Sequence, residues 1–311
     1  MTTLIIGTAR SETFAEGIRA ADPNFDFRVW PETGNANVRY ALAWGPPPGE
    51  LAKFPNLELI VSVGAGVDHL FKDPALPDVP VVRFVDQDLT GRMVSFVAAN
   101  VLFHHRRMIE LRDQQRDRNW AYLPEPAAHE LTVGIMGLGV LGQACAKALG
   151  VLGYKLNGWT RTERAVAGVT CFAGANGLDA FLNATDILVS LLPLTPDTRG
   201  IINAQLLAKL GRPKILPGPV LINAGRGGLQ IEDDILSCLD AGTLYAASLD
   251  VFSTEPLPAT SPVWAHPRVV LTPHIEAESD PRAIARYLID QVNRQKRGEP
   301  LPNLVDRARG Y

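Results

Sequence analysis

Short apolar runs alternate with amphipathic stretches along the first hundred positions. Thr3–Ile6, Phe25–Trp30, Val38–Trp44, Leu57–Val63 and Val79–Val85 have the length and composition of strands. Ser11–Ala20, Glu50–Phe54 and Val67–Phe71 between them have helical character. Such alternation predicts an α/β fold with a parallel sheet covered on both faces. Pro46-Pro47-Pro48 continues neither a strand nor a helix interior, so a strand ends at Trp44-Gly45. Ligands of parallel sheets lie beyond the carboxyl ends of the strands. That rule makes Trp44 and Gly64-Ala65-Gly66 candidate pocket residues. A core or hinge aromatic is an equal reading of Trp44.

From Met93 to about Arg118, Val94, Val97, Ala98, Val101, Leu102, Met108 and Leu111 recur at helical spacing. The pattern predicts one long helix leaving a first domain, with Pro124 and Pro126 marking the linker after it. Strand–helix alternation then resumes, with strands expected at Lys155–Thr160, Asp186–Leu192, Pro219–Ala224, Leu244–Val251 and Val269–Thr272. Asp280-Pro281 opens a last helix, Arg282–Arg297, and Gly298 suits its stop. Two crossings between domains follow. The expected organisation is a discontinuous first domain, residues 1–98 and 282–311, around a second domain, residues 99–281.

The second domain begins with its most specific signal. Leu131–Met136 is an apolar run, Gly137-Leu138-Gly139-Val140-Leu141-Gly142 is G-x-G-x-x-G, and Gln143–Leu149 has a helical pattern. This is the strand–turn–helix setting that the dinucleotide fingerprint requires. The first glycine permits the turn, the second admits a pyrophosphate against the backbone, and the third allows helix and strand to pack closely. A glycine-rich turn without ligand, or the related loop of a methyltransferase, shares part of this pattern. Gly64-Ala65-Gly66-Val67-Asp68-His69 also follows a strand but lacks the third glycine.

The end of the next strand selects among dinucleotides. An NAD site usually places an acid about 20 residues downstream, on the ribose 2′-hydroxyl. That position holds Thr160, followed by Arg161 and Thr162. Without an acid a 2′-phosphate is not repelled, and an arginine can pair with it. The expected cofactor is NADP(H), with NAD(H) possible, and with Thr160, Thr162 and Arg164 assisting Arg161. A solvated loop charge is the alternative for Arg161.

Composition narrows the partners. The 311 residues suit two domains, and 46% apolar with 20% charged residues is ordinary for a soluble globular protein. A net charge of −3 gives no case for nucleic acid or an anionic membrane surface. No run approaches a membrane span, and the N-terminus has the pattern of a first strand instead of a signal peptide. The 3 cysteines, Cys145, Cys171 and Cys238, have no metal-ligand spacing, and a reducing cytoplasm is expected.

Three strand ends carry candidate chemistry. Val220–Asn223 runs into Ala224-Gly225-Arg226-Gly227-Gly228, Ser248–Asp250 leads to Glu255-Pro256, and Val269–Thr272 leads to Pro273-His274. Alone, Arg226 is as well read as a structural ion pair as a carboxylate clamp. Together the three residue types match ketone reduction. A histidine can give a proton to the carbonyl oxygen, a carboxylate can orient and charge that histidine, and an arginine can fork onto a 2-oxo acid. The other histidines, His69, His104, His105, His129 and His266, are read as structural.

In order and spacing, Gly137–Gly142, Leu192-Pro193-Leu194-Thr195-Pro196-Asp197-Thr198-Arg199, Asn223–Gly227, Leu249-Asp250-Val251-Phe252 with Glu255-Pro256, and Thr272-Pro273-His274-Ile275 resemble the D-2-hydroxyacid dehydrogenase family. The Trp44 loop, Gly64–Asp68 and the ending Val305–Tyr311 look more specifically like its glyoxylate/hydroxypyruvate reductase A-type branch. The resemblance implies His274 as proton donor, Glu255 as its partner and Arg226 as ligand of the substrate carboxylate and carbonyl. Backbone N–H groups around Ala65-Gly66 would hold the second carboxylate oxygen. Leu192, Pro193, Thr198, Ala224, Gly225, Arg226, Asp250 and His274 would line the nicotinamide side.

The resemblance also implies two Rossmann/flavodoxin-like doubly wound domains, an interdomain cleft and a homodimer. Its expected activity is NADPH-preferring reduction of small 2-oxo acids to 2-hydroxy acids. The same chemistry on a bulkier acid, or a non-catalytic NADP(H)-sensing protein, is the alternative. One departure stands out. Where the family commonly has small residues after His274-Ile275, this chain has Glu276-Ala277-Glu278-Ser279. That carboxylate is expected to point into solvent, the other reading being an influence on His274.

Overall fold

The computed structural model describes residues 2–7, 10–32, 37–214 and 216–311. The chain divides into two compact units, Met1–Leu89 with Ser279–Tyr311, and Thr90–Glu278. These steps lie somewhat before the boundaries read from the sequence. Met93 and Val97 already pack into the second core, whereas Ser279 Oγ donates to Val63 O at 3.2 Å in the first unit.

In the first unit, β1 (Thr2–Ile6), α1 (Ser11–Ala21), β2 (Phe27–Val29), β3 (Val38–Ala43), β4 (Leu59–Ser62), α2 (Asp68–Phe71) and β5 (Val81–Arg83) follow in order. The sheet order is β2-β1-β3-β4-β5, and every pairing is parallel. This is the flavodoxin-like order. Both faces are covered, so β1 and β4 are buried at every position.

The second unit takes in most of α3 (Gln87–His105), then α4 (Met108–Arg116), β6 (Thr132–Met136), α5 (Val140–Val151), β7 (Lys155–Thr160), β8 (Thr170–Ala173), α6 (Gly174–Asn183), β9 (Ile187–Ser190), α7 (Ala204–Leu207), β10 (Val220–Asn223), α8 (Glu232–Asp240), β11 (Ala246–Leu249) and β12 (Val269–Leu271). Its order, β12-β11-β10-β9-β6-β7-β8, is again all parallel. Strand order reverses between β6 and β9, which is the Rossmann switch point. Because all strands run the same way, the segments after β6, β9, β10, β11 and β12 share one sheet edge.

The expected single helix from Met93 to Arg118 is two helices. Arg107 adopts a left-handed conformation, φ 55°, between α3 and α4. Its guanidinium bonds Pro124 O, 17 residues on, at 3.1 Å and, one turn along α4, Glu110 at 2.9 Å, and these bonds hold the break. Beside it, buried His104 bonds Ser248 Oγ at 2.7 Å, and buried His105 bonds Tyr154 OH at 2.6 Å and Pro126 O at 2.7 Å. Burial pushes His104 down to about 4, so it is neutral at physiological pH.

The chain returns to the first unit as α9 (Pro281–Arg297). The Asp280 side chain accepts from Arg282 N, Pro281 takes the first turn, and Gly298 ends the helix at φ 68°. Ala283, Ile284, Ala285, Leu288 and Val292 bury one face, and α9 packs on α1 at Gly17. A Cβ on Gly17 would stand 2.8 Å from Pro281 O. Gly17→Val is therefore expected to destabilise the protein by about 1–3 kcal/mol through overpacking. Urea unfolding measures this, and an unchanged midpoint would show that the helices separate freely.

Candidate active site

β6 delivers the glycine loop to the switch point. Gly137 has φ 102° and donates to Trp159 O at 3.0 Å. A Cβ on Gly142 would stand 2.0 Å from Gly137 O, so only glycine permits this packing. A Cβ on Gly139 would meet nothing within 4 Å, which leaves an open approach to the backbone. Leu138 is buried beneath the loop, while Val140 and Leu141 open α5. The first N–H groups of that helix have no partner within it and favour an anion. A dinucleotide pyrophosphate therefore fits this cradle.

At the end of β7, Thr160 Oγ1 donates to Thr162 O at 2.7 Å and shapes the turn. Arg161 is exposed there, and the Arg164 guanidinium donates to the Leu138 carbonyl, tying the turn to the glycine loop. After β9, Thr198 Oγ1 donates to Pro193 O at 2.7 Å and accepts from Thr195 N at 2.8 Å. This closes the Leu192–Thr198 loop. A Cβ on Gly225 would lie 3.0 Å from Leu192 O, so the loops after β9 and β10 touch.

The three reactive side chains follow β10, β11 and β12. Asn223, fully buried, donates to Arg226 O at 3.2 Å and Gln230 Oε1 at 2.8 Å, and accepts from Gly225 N at 3.1 Å. These bonds pin the Ala224–Gly228 turn. Gly227 lies against Phe252, where a Cβ would come within 1.9 Å of the backbone. Glu255 Oε1 accepts from Phe252 N at 2.9 Å, and its Oε2 lies 2.7 Å from His274 Nδ1. An ionised carboxylate only accepts, so Nδ1 carries hydrogen and Nε2 is left for a substrate.

His274 stands at φ 56° in a turn wrapped around Asp250. His274 N donates to Asp250 O at 2.8 Å. The Asp250 carboxylate accepts from Thr272 Oγ1 at 2.5 Å, Ile275 N at 3.1 Å and Glu276 N at 3.1 Å.

The hydrogen bond that His274 donates to Glu255 raises the His274 pKa, against the opposing effect of burial. Burial works to raise Glu255, but the bonds from His274 and Phe252 N, with the His274 and Arg226 charges, outweigh it and lower the carboxyl. Each group thus favours the charged form of the other.

In the first unit, Trp44 follows β3, and its ring lies 4.2 Å from that of His69. A Cβ on Gly64 would come 2.9 Å from the Trp44 ring, and Ser62 Oγ donates to Gly66 O at 3.1 Å. Trp44, Gly64, Ala65 and Gly66 are gathered at the ends of β3 and β4. Arg226, Glu255 and His274 are gathered in the second unit. Among the described residues, no group of His, Cys, Asp or Glu is arranged to hold a metal, and no helix is long and apolar enough to cross a membrane.

The family model for the NAD binding domain of D-isomer specific 2-hydroxyacid dehydrogenases matches residues 98–276. The chain belongs to that family. A solved NADPH-dependent glyoxylate/hydroxypyruvate reductase from Sinorhizobium meliloti, in complex with NADP and sulfate, is 44% identical. The match covers 100% of this chain and 99% of that one, with a TM-score of 0.95. A probable 2-hydroxyacid dehydrogenase from Rhizobium etli, in complex with NADP, HEPES and L(+)-tartaric acid, is also 44% identical, with the same coverage and a TM-score of 0.93. A family member from Xanthobacter autotrophicus with NADPH and MES is 40% identical, covers 99% of each chain and has a TM-score of 0.92. The matched region excludes the methyltransferase reading of the glycine loop.

One expectation for this dehydrogenase is overturned. Glu276 does not point into solvent: the residue is 7% exposed and its Oε1 lies 3.7 Å from His274 Nε2. The turn that places His274 against Glu255 draws the next residues inward onto Asp250. Burial first, then a hydrogen bond with Asp250, push the Glu276 carboxyl up to about 8. Supporting roles of Asn223, Gln230 and Thr272 were not read from the sequence. Asn223 ending a buried strand was the available signal.

Glu276 and His274 both bind a proton more tightly in the folded state. Stability from Glu276 is full below its ordinary value near 4.5 and is lost as pH rises to about 8. Stability from His274 is full below about 6.5 and fades through its raised value. The dehydrogenase should therefore lose Tm between pH 5 and 9, and Glu276→Gln should flatten that decline. Parallel calorimetric curves for the two proteins would contradict the protonated, buried state of Glu276.

Proposed function

We propose that this protein is an NADPH-preferring reductase of small 2-oxo acids, glyoxylate and hydroxypyruvate foremost. One observation carries the reading: at a shared sheet edge, an Arg226-flanked Glu255–His274 pair leaves Nε2 available in a Rossmann unit with an open glycine cradle. The NADP-bound reductase from Sinorhizobium meliloti, similar along its whole length, supports the choice of substrate and cofactor. The first unit serves as the substrate domain and the second as the dinucleotide domain.

NADPH, when bound, would supply the hydride for C2 of the substrate. The N–H groups around Gly139–Gly142 would hold the pyrophosphate. Thr160, Arg161 and Thr162 would receive the 2′-phosphate, and Leu192, Pro193, Thr198, Ala224, Gly225 and Asp250 would line the nicotinamide side. Arg226 binds the substrate carboxylate and polarises its carbonyl, and the N–H groups of Ala65 and Gly66 take the other carboxylate oxygen. Trp44, packed over Gly64, limits substrate size. His274 gives the Nε2 proton to the carbonyl oxygen, while Glu255 holds Nδ1 and keeps the ring charged.

A homodimer is the assembly that the exposed aromatics favour. Trp120 is 100% exposed and Tyr122 88% in the segment after α4, and Leu102, Met108 and Leu111 are exposed along α3 and α4. Free Cys145, Cys171 and Cys238 suit the reducing cytoplasm.

The deciding experiment follows NADPH absorbance with glyoxylate, hydroxypyruvate, pyruvate and phenylpyruvate in parallel, with NADH as the control. Turnover of the small acids is expected, lost by at least about 100-fold in His274→Ala, as removal of a general acid implies. No turnover with any acid despite tight NADPH binding would favour the sensing protein. In the same assay Arg161→Asp should weaken NADPH much more than NADH, and equal losses would remove Arg161 from the phosphate site.

A further inference from the structure

A carboxyl approaches each nitrogen of the His274 ring, and the two differ in how they are engaged. Glu255 has both oxygens in use: Oε1 accepts from Phe252 N at 2.9 Å, and Oε2 lies 2.7 Å from Nδ1. Glu276 Oε1 lies 3.7 Å from Nε2, the nitrogen left for a substrate. The Glu276 side chain is only 8% exposed, and its Oε2 is buried with no hydrogen-bond partner among the described residues. The backbone fixes this placement. His274 N donates to Asp250 O at 2.8 Å, and Ile275 N and Glu276 N donate to the Asp250 side chain at 3.1 Å each. A buried polar atom without a partner is costly, and beside a reacting group it suits a polar group of the ligand.

The chemistry of a 2-oxo acid says which group that is. C2 carries three groups. The carbonyl oxygen goes to Nε2, at about 2.8 Å as a hydrogen bond requires. The carboxylate goes to the Arg226 guanidinium and, by like charge, away from the Glu276 carboxyl. C3 and its substituent are left for Glu276. A hydroxyl on C3 stands on the carbon next to the carbonyl, so its oxygen neighbours the one at Nε2. Nε2 and Oε1, 3.7 Å apart, offer neighbouring partners to such a pair of oxygens.

We propose that Glu276 is a specificity residue that binds the C3 hydroxyl of the substrate, so that 2-oxo acids bearing this hydroxyl, such as hydroxypyruvate, are selected over those with an apolar C3. The inference rests on the reductase reading above and narrows its substrate. A hydroxyl donates and accepts, so it pairs with the Glu276 carboxyl in either protonation state. The methyl group of pyruvate does neither and leaves buried oxygens against carbon.

The test compares hydroxypyruvate with pyruvate, which differ only in this hydroxyl. Wild type should favour hydroxypyruvate in kcat/KM by about 10- to 100-fold, the range for a buried polar group left unpaired. Glu276→Gln, which still donates and accepts, should keep most of that ratio. Glu276→Ala should lower it by about tenfold, and Glu276→Leu should lower it further by favouring the methyl group. An effect of Glu276 on His274 alone would move both acids together and leave the ratio unchanged. A wild-type ratio near one, or a ratio that survives in the Ala and Leu variants, overturns the inference while leaving the reductase reading intact.

Binding gives a second readout that needs neither turnover nor a variant. Calorimetric titration of the NADPH-loaded protein with D-glycerate and with D-lactate forms complexes in which no hydride passes. D-glycerate should bind at least about tenfold more tightly in wild type, and the difference should vanish in Glu276→Ala. Equal binding of the two acids, or no binding of either, overturns the hydroxyl site. If no 2-oxo acid is reduced and the D-glycerate preference is still present, the reductase reading fails and the hydroxyl site stands.

Discussion

Asp250 is fully buried at the end of β11, and a carboxylate there survives only where donors replace water. Thr272 Oγ1, Ile275 N and Glu276 N supply them, and all lie in the segment after β12. That demand shapes the segment. It bends through His274 at positive φ, which sets the imidazole against Glu255 and turns Glu276 inward. A side chain other than a short carboxylate at 250 would leave these donors unpaired and release the turn. Orientation of the candidate acid thus depends on a residue that need not act on the substrate carbonyl.

The parallel sheet makes this convergence possible. Three consecutive strands, β10, β11 and β12, end on the same edge, so residues far apart in sequence emerge side by side. Close loop packing then fixes their spacing. Gly227 against the Phe252 backbone and Asn223 bonded to Gln230 hold the Arg226 turn beside the Glu255 loop. The glycine cradle lies on the same edge at β6, so it shares one rigid support with the loops bearing Arg226, Glu255 and His274.

Glu276 sets this chain apart from the small residue that the family resemblance leads one to expect. In water a glutamate beside a histidine would simply be a nearby negative charge. Buried beside Asp250 its carboxyl is pushed up to about 8, because desolvation and a second carboxyl both penalise ionisation. At neutral pH the carboxyl is thereby less charged than an exposed glutamate would be, which suits an anionic substrate.

The sequence by itself determined the α/β class, the strand-turn-helix of the glycine loop, the missing acid at Thr160, and the three strand ends bearing Arg226, Glu255 and His274. Each is a local pattern: a run of apolar residues, a glycine spacing, a charged residue after a strand. Only tertiary structure decided the rest. The break at Arg107 is held by Pro124, 17 residues on, the short edge strand β8 exists by pairing with β7, and Glu276 is inward because Asp250, 26 residues earlier, draws it there. Burial and hydrogen bonding depend on which distant groups surround a side chain, and one-dimensional spacing carries no measure of that.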